Sequence, residues 1–350
     1  MFEEIVKKPA SWLAGDGTQS GIVLSSRIRL ARNISGCSFS SVSNAENLER
    51  IISFVRLAIQ KSPNLKTGQF LLWNEVPDLD RTLLMERHLV SPEFMRGTDS
   101  RALFVSQEEI VSIMVNEEDH LRIQVIQSGL EIRDTYCIAD KIDDDLGQSL
   151  QFDFDPDFGF LTACPTNVGT GMRASILIHL PGLVLTREIE KVISQITKVG
   201  LTVRGFYGEG TDVLGNLFQI SNQTSLGRSE EDIIESLEKV TKQIIEYETN
   251  SRTTLFEDAR EQIEDKIWRA YGILKNARSL TSEEVMNLLS AIRLGLSMGS
   301  IDLLSLPTIN EVLILSQPAH LQKYFEKDMD STERDIRRAE LVRAKLANCS

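Results

Sequence analysis

The sequence predicts an α+β domain that is followed by an all-α domain, and three observations lead to this prediction. The chain has 350 residues, which is more than one typical domain contains. Before residue 250, short β-rich runs recur between amphipathic helical patterns. After Asn250, the pattern is almost entirely helical. We therefore predict an α+β domain over residues 1–250 and a helical domain over residues 251–350.

Five runs in the first domain have the alternation and the β-branched composition that are typical of strands. They cover residues 110–115, 121–126, 174–180, 201–206 and 217–221. The β part of the fold-class prediction rests on these runs.

Serine followed by acidic residues marks the start of several predicted helices. Ser43 and Glu46 have the spacing of a capping box and precede apolar residues at helical intervals. Ser229 precedes three consecutive acids, and Ser282 precedes two. Residues 331–347 form a highly charged run that predicts a final helix.

Composition indicates a soluble globular protein, because the chain is 41% hydrophobic and 25% charged. The N-terminal residues lack the apolar segment of a secretory signal. No apolar run approaches the roughly 18 residues that a membrane-spanning helix needs. We therefore expect a cytoplasmic protein that does not enter a membrane.

Charge and cysteine usage narrow the possible functions. The net charge of −13 argues against direct nucleic-acid binding. The acidic excess lies in residues 1–250, so an anion site there must be made by a few concentrated arginines. The cysteines have no metal-ligand or disulfide spacing, so we expect free thiols and no protein-held metal site. They are Cys37, Cys137, Cys164 and Cys349.

Two arginines on one predicted strand form the first candidate anion site. Arg27 and Arg29 lie two residues apart in the run 25–29, so on a strand their side chains leave the same face. Two guanidinium groups side by side repel each other unless an anion lies between them, and their planar donors suit phosphate oxygens. The alternative is two solvated arginines that pair with local acids.

Three further clusters lie on turns or strand ends. Residues 116–122 place three acids, a histidine and Arg122 between two strands, which a plain polar loop would also explain. Residues 164–173 form a small-residue loop that ends at Arg173, and its glycines would let the backbone approach a ligand. Residues 204–209 place an arginine and a glutamate on either side of a glycine-containing turn.

In this order, the four clusters resemble those of the phosphagen kinases, and the likeness spans about residues 20–250. The resemblance implies an antiparallel sheet flanked by helices, and phosphoryl transfer from ATP with Mg²⁺ to a guanidino group. The ATP contacts that it implies are at Ser25, Ser26, Arg27, Ile28, Arg29, His88, Arg122, Arg173, Ala174, Ser175, Ile176, Leu177, Arg204, Gly205, Phe206, Tyr207, Gly208 and Glu209.

The guanidino acceptor requires help because its pKa is above about 12, which makes its nitrogens poor nucleophiles. Carboxylates can orient such a group and accept its proton. The resemblance implies Glu118 as the general base, with Glu209 sharing the grip on the guanidinium. It also implies that Cys164 lies beside the acceptor; the alternative is a buried structural thiol. The roles of Glu117 and His120 stay open.

Two departures from the small-molecule phosphagen kinases point to one branch of the family. Only some twenty residues precede Ser25, where those enzymes have a helical domain that helps to hold the free amino acid. Leu177 stands where they usually have a histidine. The helical region that follows residue 250 is similar to that of bacterial protein arginine kinases.

A motif in the final helix supports that branch. Arg334 and Arg338 are four residues apart and share a helix face, and Asp335 is three residues from Arg338. With Ala339 they match the R-D-x-x-R-A signature, which in this family is associated with a phosphoarginine-binding allosteric pocket. Arginines could fork the phosphate while Asp335 accepts from the guanidinium. The alternative is an ordinary salt-bridged surface helix.

The leading hypothesis is therefore a protein arginine kinase. Its alternatives are a kinase for a small guanidino metabolite and a non-catalytic adaptor that binds phosphoarginine. The resemblance further implies a stress-response role and these partners: proteins with exposed arginines, a zinc-binding activator protein, a Clp-type chaperone–protease and a heat-shock repressor. A homodimer is compatible with the resemblance but does not follow from the residues.

Overall fold

The structure is a computed structural model that describes residues 2–97, 100–206 and 213–347. Its centre is an eight-stranded antiparallel sheet, with the strand order β2-β3-β4-β5-β1-β8-β10-β9. Strands β6 and β7 form a separate hairpin. The strands are β1 (Val23–Arg32), β2 (Gly68–Leu72), β3 (Ala102–Ser106), β4 (Val111–Val115), β5 (Leu121–Ser128), β6 (Phe154–Asp155), β7 (Gly159–Phe160), β8 (Met172–His179), β9 (Leu201–Arg204) and β10 (Leu217–Asn222).

Helices cover both faces of the sheet. They are α1 (Phe2–Ile5), α2 (Ala45–Lys61), α3 (Asp78–Glu86), α4 (Pro92–Met95), α5 (Ile132–Gly147), α6 (Pro181–Leu185), α7 (Ile189–Lys198), α8 (Glu230–Asp258), α9 (Arg260–Asn276), α10 (Ser282–Ser297), α11 (Leu306–Leu315), α12 (Pro318–Tyr324) and α13 (Ser331–Ala347). An antiparallel sheet flanked by helices, with a helical C-terminal region, confirms the predicted fold class.

Strand alternation separates a core face of the sheet from a polar face. Ile28 and Leu30 on β1, and Ile176 on β8, are buried in the main core with residues of α2, α5 and α8. Because successive side chains on a strand point to opposite faces, Arg27 and Arg29 project from the other side. Arg27 and Arg29 therefore leave the same face of the strand, as the sequence predicts.

The helical C-terminal region packs on the polar side of the sheet, beside the arginines. A second core joins Leu24, Ile126 and Leu217 of the sheet to apolar residues of α9, α10, α11 and α13. Trp12 and Leu13, from the segment before β1, are buried in the same core. The helical region is therefore in direct contact with the sheet that carries the candidate site.

The helix starts are partly as predicted. Ser229 caps α8 with a full capping box that includes Asp232. The capping box predicted at Ser43 is wrong, since the side chain of Asn44 caps α2 and the Ser43 hydroxyl instead donates to the Ser38 carbonyl. Thr281, one residue before the expected position, caps α10.

Helix α8 runs without a break from Glu230 to Asp258, across the predicted domain boundary at residue 250. The division at that residue stays a prediction. Among the described residues, none of the helices combines the length and the apolar composition of a membrane span.

Candidate active site

A cavity of about 1090 Å³ opens on the polar face of the sheet, which is slightly larger than most small-molecule sites. Five neighbouring strands contribute to its floor, from β5 through β1, β8 and β10 to β9. Segments around α3 and α4, and the loop after β7, form its walls. Seven arginines line it: Arg27, Arg29, Arg96, Arg101, Arg122, Arg173 and Arg204.

Strand register brings the cations of the floor together. Arg29 on β1 lies directly opposite Arg173 on β8, a like-charge pair that destabilises a sheet when no counter-ion is present. Arg27 lies opposite Ser175, and its Nη2 donates to Gln219 Oε1 at 2.6 Å. Arg204 lies opposite Gln219 at the end of β9. Neutral side chains thus orient part of the cluster without neutralising it.

The electrostatics of the floor favour a bound anion. Burial, together with the charges of Arg122 and Arg173, lowers the pKa of Arg27 to about 9. Burial and the charges of Arg27, Arg122 and Arg173 also lower the pKa of Arg29, although Glu117 opposes the shift. A pKa below the usual value means that the positive charge is disfavoured there. A polyanion such as a triphosphate would relieve this cost.

Glu117 faces inward and fixes one of these arginines. Its Oε2 accepts from Arg122 Nη1 at 2.5 Å, and its Oε1 accepts from the Ser91 hydroxyl. Burial alone would raise the pKa of Glu117, but Arg122, Ser91 and Arg29 together lower it. The carboxylate therefore stays ionised and holds Arg122 at the cavity.

Glu118, the next residue, is exposed and lines the same cavity. Partial burial and the adjacent charges of Asp119 and Glu117 raise its pKa above the usual value. A carboxylate with a raised pKa is a stronger base than a fully solvated one. Of the acids in residues 117–119, Glu118 thus has the properties expected of a proton acceptor.

Asp119 and His120 support the fold of the loops around the site. Asp119 Oδ1 accepts from Asn33 Nδ2 and from the backbone N–H of Ala163, both at 2.7 Å. His120 is fully buried; its Nδ1 accepts from the Ile34 N–H, and its Nε2 donates to the Ser38 carbonyl. These contacts join the end of β1 to the segment before Cys164, so a structural role explains both residues.

His88 lines the cavity from the end of α3. Its φ of 60° places it in the left-handed region, and the Leu89 N–H bonds to the Leu84 carbonyl, as at a helix C-terminus of the Schellman type. Its ring makes edge contacts with Trp12 and Phe206 at centroid distances of 4.9 and 4.8 Å. Burial, with Arg27 nearby, lowers its pKa to about 3, so the ring is neutral.

Cys164 lines the cavity at the start of a short helical turn, with its Sγ 3.1 Å from the Thr166 hydroxyl. The glycines that follow also serve the fold, and Gly171 lines the cavity as well. A Cβ at Gly169 would lie 2.8 Å from the Ser225 carbonyl oxygen, and one at Gly171 would lie 2.6 Å from the Ala31 carbonyl oxygen. Both glycines also have positive φ. They allow the loop to pack against neighbouring backbone.

The structure does not bring every predicted ATP residue to the cavity. Ile28, Ala174 and Ile176 project into the main core, because they alternate with the arginines of the same strands. Ser26 instead bonds to the Gly129 carbonyl, and Leu177 is buried in the second core. Ser25, Ser175 and Gly205 are buried outside the cavity lining. Tyr207, Gly208 and Glu209 lie outside the described residues.

The sequence interpretation missed the wall formed by Ser91, Glu93, Arg96 and Arg101. Arg101 is oriented by α4, since its Nη1 donates to the carbonyls of Glu93 and Phe94. Only an arginine-rich composition marks this segment in the sequence, and that signal is weak.

Helix α13 carries the R-D-x-x-R-A motif, and half of the motif is buried. Arg338 Nε donates to the Ser316 carbonyl at 2.7 Å, while its Nη1 contacts both the Leu280 carbonyl and Asp335 Oδ1. Ala339 is fully buried in the second core. Arg334 and Asp335 are half-buried. The predicted Arg338–Asp335 pair exists, and it ties α13 to the start of α10 and the end of α11.

In the described ranges, no group of three or more histidine, cysteine, aspartate or glutamate side chains is arranged to hold a metal ion. Cys37, Cys137 and Cys164 are free thiols, and Cys349 lies outside the described residues.

Comparison with known proteins identifies the class that this fold and this cavity define. The model of the ATP:guanido phosphotransferase C-terminal catalytic domain matches residues 50–251. Among solved structures, a lombricine kinase aligns with a TM-score of 0.59 and 24% identity over 69% of this chain and 70% of that chain. The duplicated taurocyamine kinase from Schistosoma mansoni aligns with a TM-score of 0.62 and 23% identity over 70% of this chain and 35% of that chain. These two show the shared fold. The chain belongs to the ATP:guanido phosphotransferase family.

The C-terminal region and the full-length relatives specify the branch. The model of the protein-arginine kinase McsB C-terminal domain matches residues 260–350. A protein-arginine kinase from Symbiobacterium thermophilum is 45% identical over 99% of both chains. One from Bacillus mycoides is 46% identical over 96% of this chain and 95% of its own. The family and enzyme class predicted from the sequence are confirmed.

Proposed function

We propose that this chain transfers the γ-phosphoryl group of ATP to the guanidinium of arginine side chains in proteins. The observation that carries the proposal is the cluster of Arg27, Arg29, Arg122 and Arg173 on one floor, with Glu118 on the same cavity. An anion site and a basic carboxylate are the two components that this reaction needs. The names of the full-length relatives support a protein as the acceptor.

The arginines bind and orient the triphosphate. Their guanidinium groups are already close together, so the cost of assembling the charges is met in folding rather than during the reaction. Positioning and charge stabilisation account for most of the catalysis of phosphoryl transfer. Arg122 is fixed by Glu117 and Arg27 by Gln219. These contacts keep the two arginines in place as negative charge moves toward the leaving group.

Glu118 acts on the acceptor. As a guanidinium nitrogen of the substrate forms a bond to the γ-phosphorus, the bond from that phosphorus to the bridging oxygen breaks and ADP leaves. The proton released by the nitrogen passes to the Glu118 carboxylate, whose raised pKa suits it as a base. Cys164, on the same cavity, assists in holding the guanidinium. Glu209 is proposed as the second carboxylate on the strength of the resemblance.

The cavity suits Mg²⁺ that arrives with the nucleotide. Mg²⁺ is commonly held by substrate phosphates together with one or two carboxylates. Because Glu118 acts on the acceptor, Glu93, another exposed acid of the cavity, is the carboxylate that would hold the ion. When bound, the ion would neutralise charge on the phosphates.

The acceptor can be identified directly. The full chain is incubated with ATP, Mg²⁺ and either casein or free arginine, and the products are analysed by mass spectrometry under non-acidic conditions. We expect phosphoarginine in casein, and we expect Glu118→Gln to lower turnover by at least about 10²-fold. Phosphorylation of free arginine alone would favour a small-molecule guanidino kinase. Binding of phosphoarginine without phosphorylation of either acceptor would favour the adaptor hypothesis.

The remaining expectations extend this proposal and rest on the family resemblance. They are a phosphoarginine-binding allosteric pocket at Arg334, Asp335, Arg338 and Ala339, a catalytic domain over residues 1–250 and a regulatory domain over 251–350. A cytoplasmic location, a stress-response role, and partnership with a zinc-binding activator, a Clp-type chaperone–protease and a heat-shock repressor belong with them. Asp335→Ala should reduce any activation by phosphoarginine while leaving basal turnover measurable.

A further inference from the structure

Three consecutive residues at the end of α3 point in three different directions. Glu86 reaches the start of α12 in the helical C-terminal region, Arg87 reaches Glu109 between β3 and β4, and His88 lines the active-site cavity. Glu86 and Arg87 are 4% and 1% exposed. One short segment therefore connects the helical region to the cavity through buried polar contacts.

Glu86 bonds to the first turn of α12 with both carboxylate oxygens. Its Oε1 accepts from the Ala319 N–H at 2.8 Å, and its Oε2 accepts from the His320 N–H at 3.1 Å and from His320 Nδ1 at 2.7 Å. Backbone N–H groups at a helix start lack partners within the helix, so the carboxylate satisfies two of them. Hydrogen bonds to an ionised acceptor are stronger than neutral ones.

His320 closes a ring of contacts with Arg87. Burial outweighs the effect of Glu86 and lowers the pKa of His320, so the ring is neutral. Its Nδ1–H donates to Glu86, which leaves Nε2 to accept from Arg87 Nη1 at 3.3 Å. Arg87 also donates to Glu109 Oε2 through Nε and Nη2, at 2.8 and 2.5 Å. The two residues before His88 thus have their side chains fixed from both sides.

This constraint reaches the cavity through the backbone and Trp12. The Arg87 carbonyl accepts from Trp12 Nε1 at 3.1 Å, and the ring of Trp12 contacts the ring of His88. Gln124, which also lines the cavity, donates to the His88 carbonyl at 2.7 Å. His88 itself has the left-handed backbone conformation that only surrounding contacts can maintain at low cost.

We propose that Glu86 is a positioning residue for nucleotide binding, which acts through His320 and Arg87 to hold the His88 side of the cavity against α12. The proposal rests on the proposed function in so far as the cavity binds ATP. It assigns to the helical region a direct part in shaping the ATP site, because the three hydrogen bonds of the Glu86 carboxylate come from α12 of that region.

A matched control exists between helices α8 and α6. Glu248 is also fully buried, accepts from two backbone N–H groups at the start of a short helix (Gly182 and Leu183 of α6) and pairs with a basic side chain, Arg252. Both short helices have proline in their first turn. Glu248 and the residues of α6 do not line the active-site cavity, whereas His88, two residues after Glu86, does.

The test compares Glu86→Gln with Glu248→Gln in the full chain. Affinity for ATP·Mg²⁺ is measured by isothermal titration calorimetry, KM and kcat are measured with casein, and stability is measured by thermal unfolding. We expect both variants to lose stability, but only Glu86→Gln to weaken ATP binding and raise the KM for ATP, by at least about fivefold, since small misplacements can cost up to 10²-fold. Its kcat should change less than its KM.

Variants of His320 keep the test decisive if Glu86→Gln folds poorly. His320→Asn can retain a donor near the position of Nδ1, whereas His320→Leu removes both ring nitrogens. We expect ATP affinity to be near wild type in the first and reduced in the second. Unchanged ATP affinity in both Glu86→Gln and His320→Leu, or an equal loss in Glu248→Gln, would overturn the proposal. Because calorimetry needs no acceptor, a failure to phosphorylate arginine would count against the proposed function alone.

Discussion

Glu117 and Arg122 form an ion pair at the edge of the arginine floor, with Oε2 and Nη1 2.5 Å apart and the Glu117 side chain only 3% exposed. The pair shows how the site tolerates several cations. The buried carboxylate of Glu117 compensates the charge of Arg122, while other arginines of the floor face the cavity. Glu118, the neighbour of Glu117 in sequence, faces the cavity and carries the opposite pKa shift.

Replacing Glu117 with glutamine should destabilise the protein, because Arg122 would lose its buried counter-ion. We expect Glu117→Gln to lower the free energy of unfolding by about 3 kcal/mol at pH 7, as measured by chemical denaturation. The pKa of Glu117 is lowered in the folded state, so its stabilising effect is present above the unfolded pKa and is lost as the pH falls through the folded pKa. The difference between variant and wild type should therefore shrink in acid.

Asp265→Asn is the control for this change. Asp265 pairs with Arg269 at 2.6 Å, but the two side chains are 60% and 74% exposed, and exposed pairs contribute less than about 1 kcal/mol. Equal effects of the two substitutions would contradict the account given for Glu117.

Arg29 should be costly to the ligand-free protein. Burial and neighbouring cations lower its pKa, and its Nε is buried without a hydrogen-bond partner. We expect Arg29→Met to leave the free energy of unfolding unchanged or to raise it by about 1 kcal/mol, a trade between stability and function that active sites often show. ATP binding, measured by calorimetry, should be lost.

Arg32, on the same strand, provides the contrasting case. It pairs with Asp143 at 2.7 Å and lies 3.5 Å from the centre of the Phe160 ring. Arg32→Met leaves Asp143 without its buried partner, so we expect a loss of about 3 kcal/mol of stability. If Arg29→Met proved as destabilising as Arg32→Met, the interpretation of Arg29 as an uncompensated cation would be wrong.

The parts of the site that the sequence predicted are those set by local periodicity. Arg27 and Arg29 share a face because side chains on a strand alternate, and the same rule sends Ile28 to the core. The resemblance implies more ATP-contacting positions than line the cavity, since it includes every residue of a strand segment. Alternation alone would have removed Ile28, Ala174 and Ile176 from the side chains that could reach a ligand.

Long-range packing accounts for what the sequence could not indicate. Helical spacing brings Arg338 next to Asp335, but only the fold shows that Arg338 is 2% exposed and bonded to the Ser316 and Leu280 carbonyls. Glu117 and Glu118 are adjacent acids on one turn, and their different roles depend on Arg122 and Ser91. Ser91, Ser316 and Leu280 lie 26, 22 and 58 residues from the side chains that they bind, and they carry no motif.

Glu118 should destabilise the protein at neutral pH, because its pKa is raised in the folded state. A raised carboxyl pKa means that the folded protein binds the proton more tightly, so stability falls as the pH rises from the unfolded to the folded pKa. We expect Glu118→Gln to be at least as stable as wild type at pH 7.5 and to lose this advantage near pH 4, as measured by thermal unfolding. A variant that was inactive and also less stable at pH 7.5 would indicate that Glu118 supports the fold.

Gly171 should be the most sensitive position of the loop that carries Cys164. With a φ of +64°, a Cβ there would lie 2.6 Å from the Ala31 carbonyl oxygen and 2.5 Å from Arg32 Nη1. Arg32 Nη1 itself donates to the carbonyls of Ala31 and Thr170. Arg173, on β8, is two residues after Gly171. A shift of this loop would therefore displace the arginine floor. We expect Gly171→Ala to reduce stability and to lower kinase activity at least about tenfold, since small displacements of positioned groups are costly.

Gly200→Ala separates backbone strain from this close approach. Gly200 also has a positive φ, of +79°, but a Cβ there would meet nothing within 4 Å. The left-handed conformation alone costs an alanine about 1–2 kcal/mol, so Gly200→Ala should lose about that much stability and keep its ATP affinity. Gly171→Ala should lose more, because the Ala31 backbone must also move. Matching losses in the two variants, with ATP affinity intact in both, would show that contact with β1 does not set the position of Arg173.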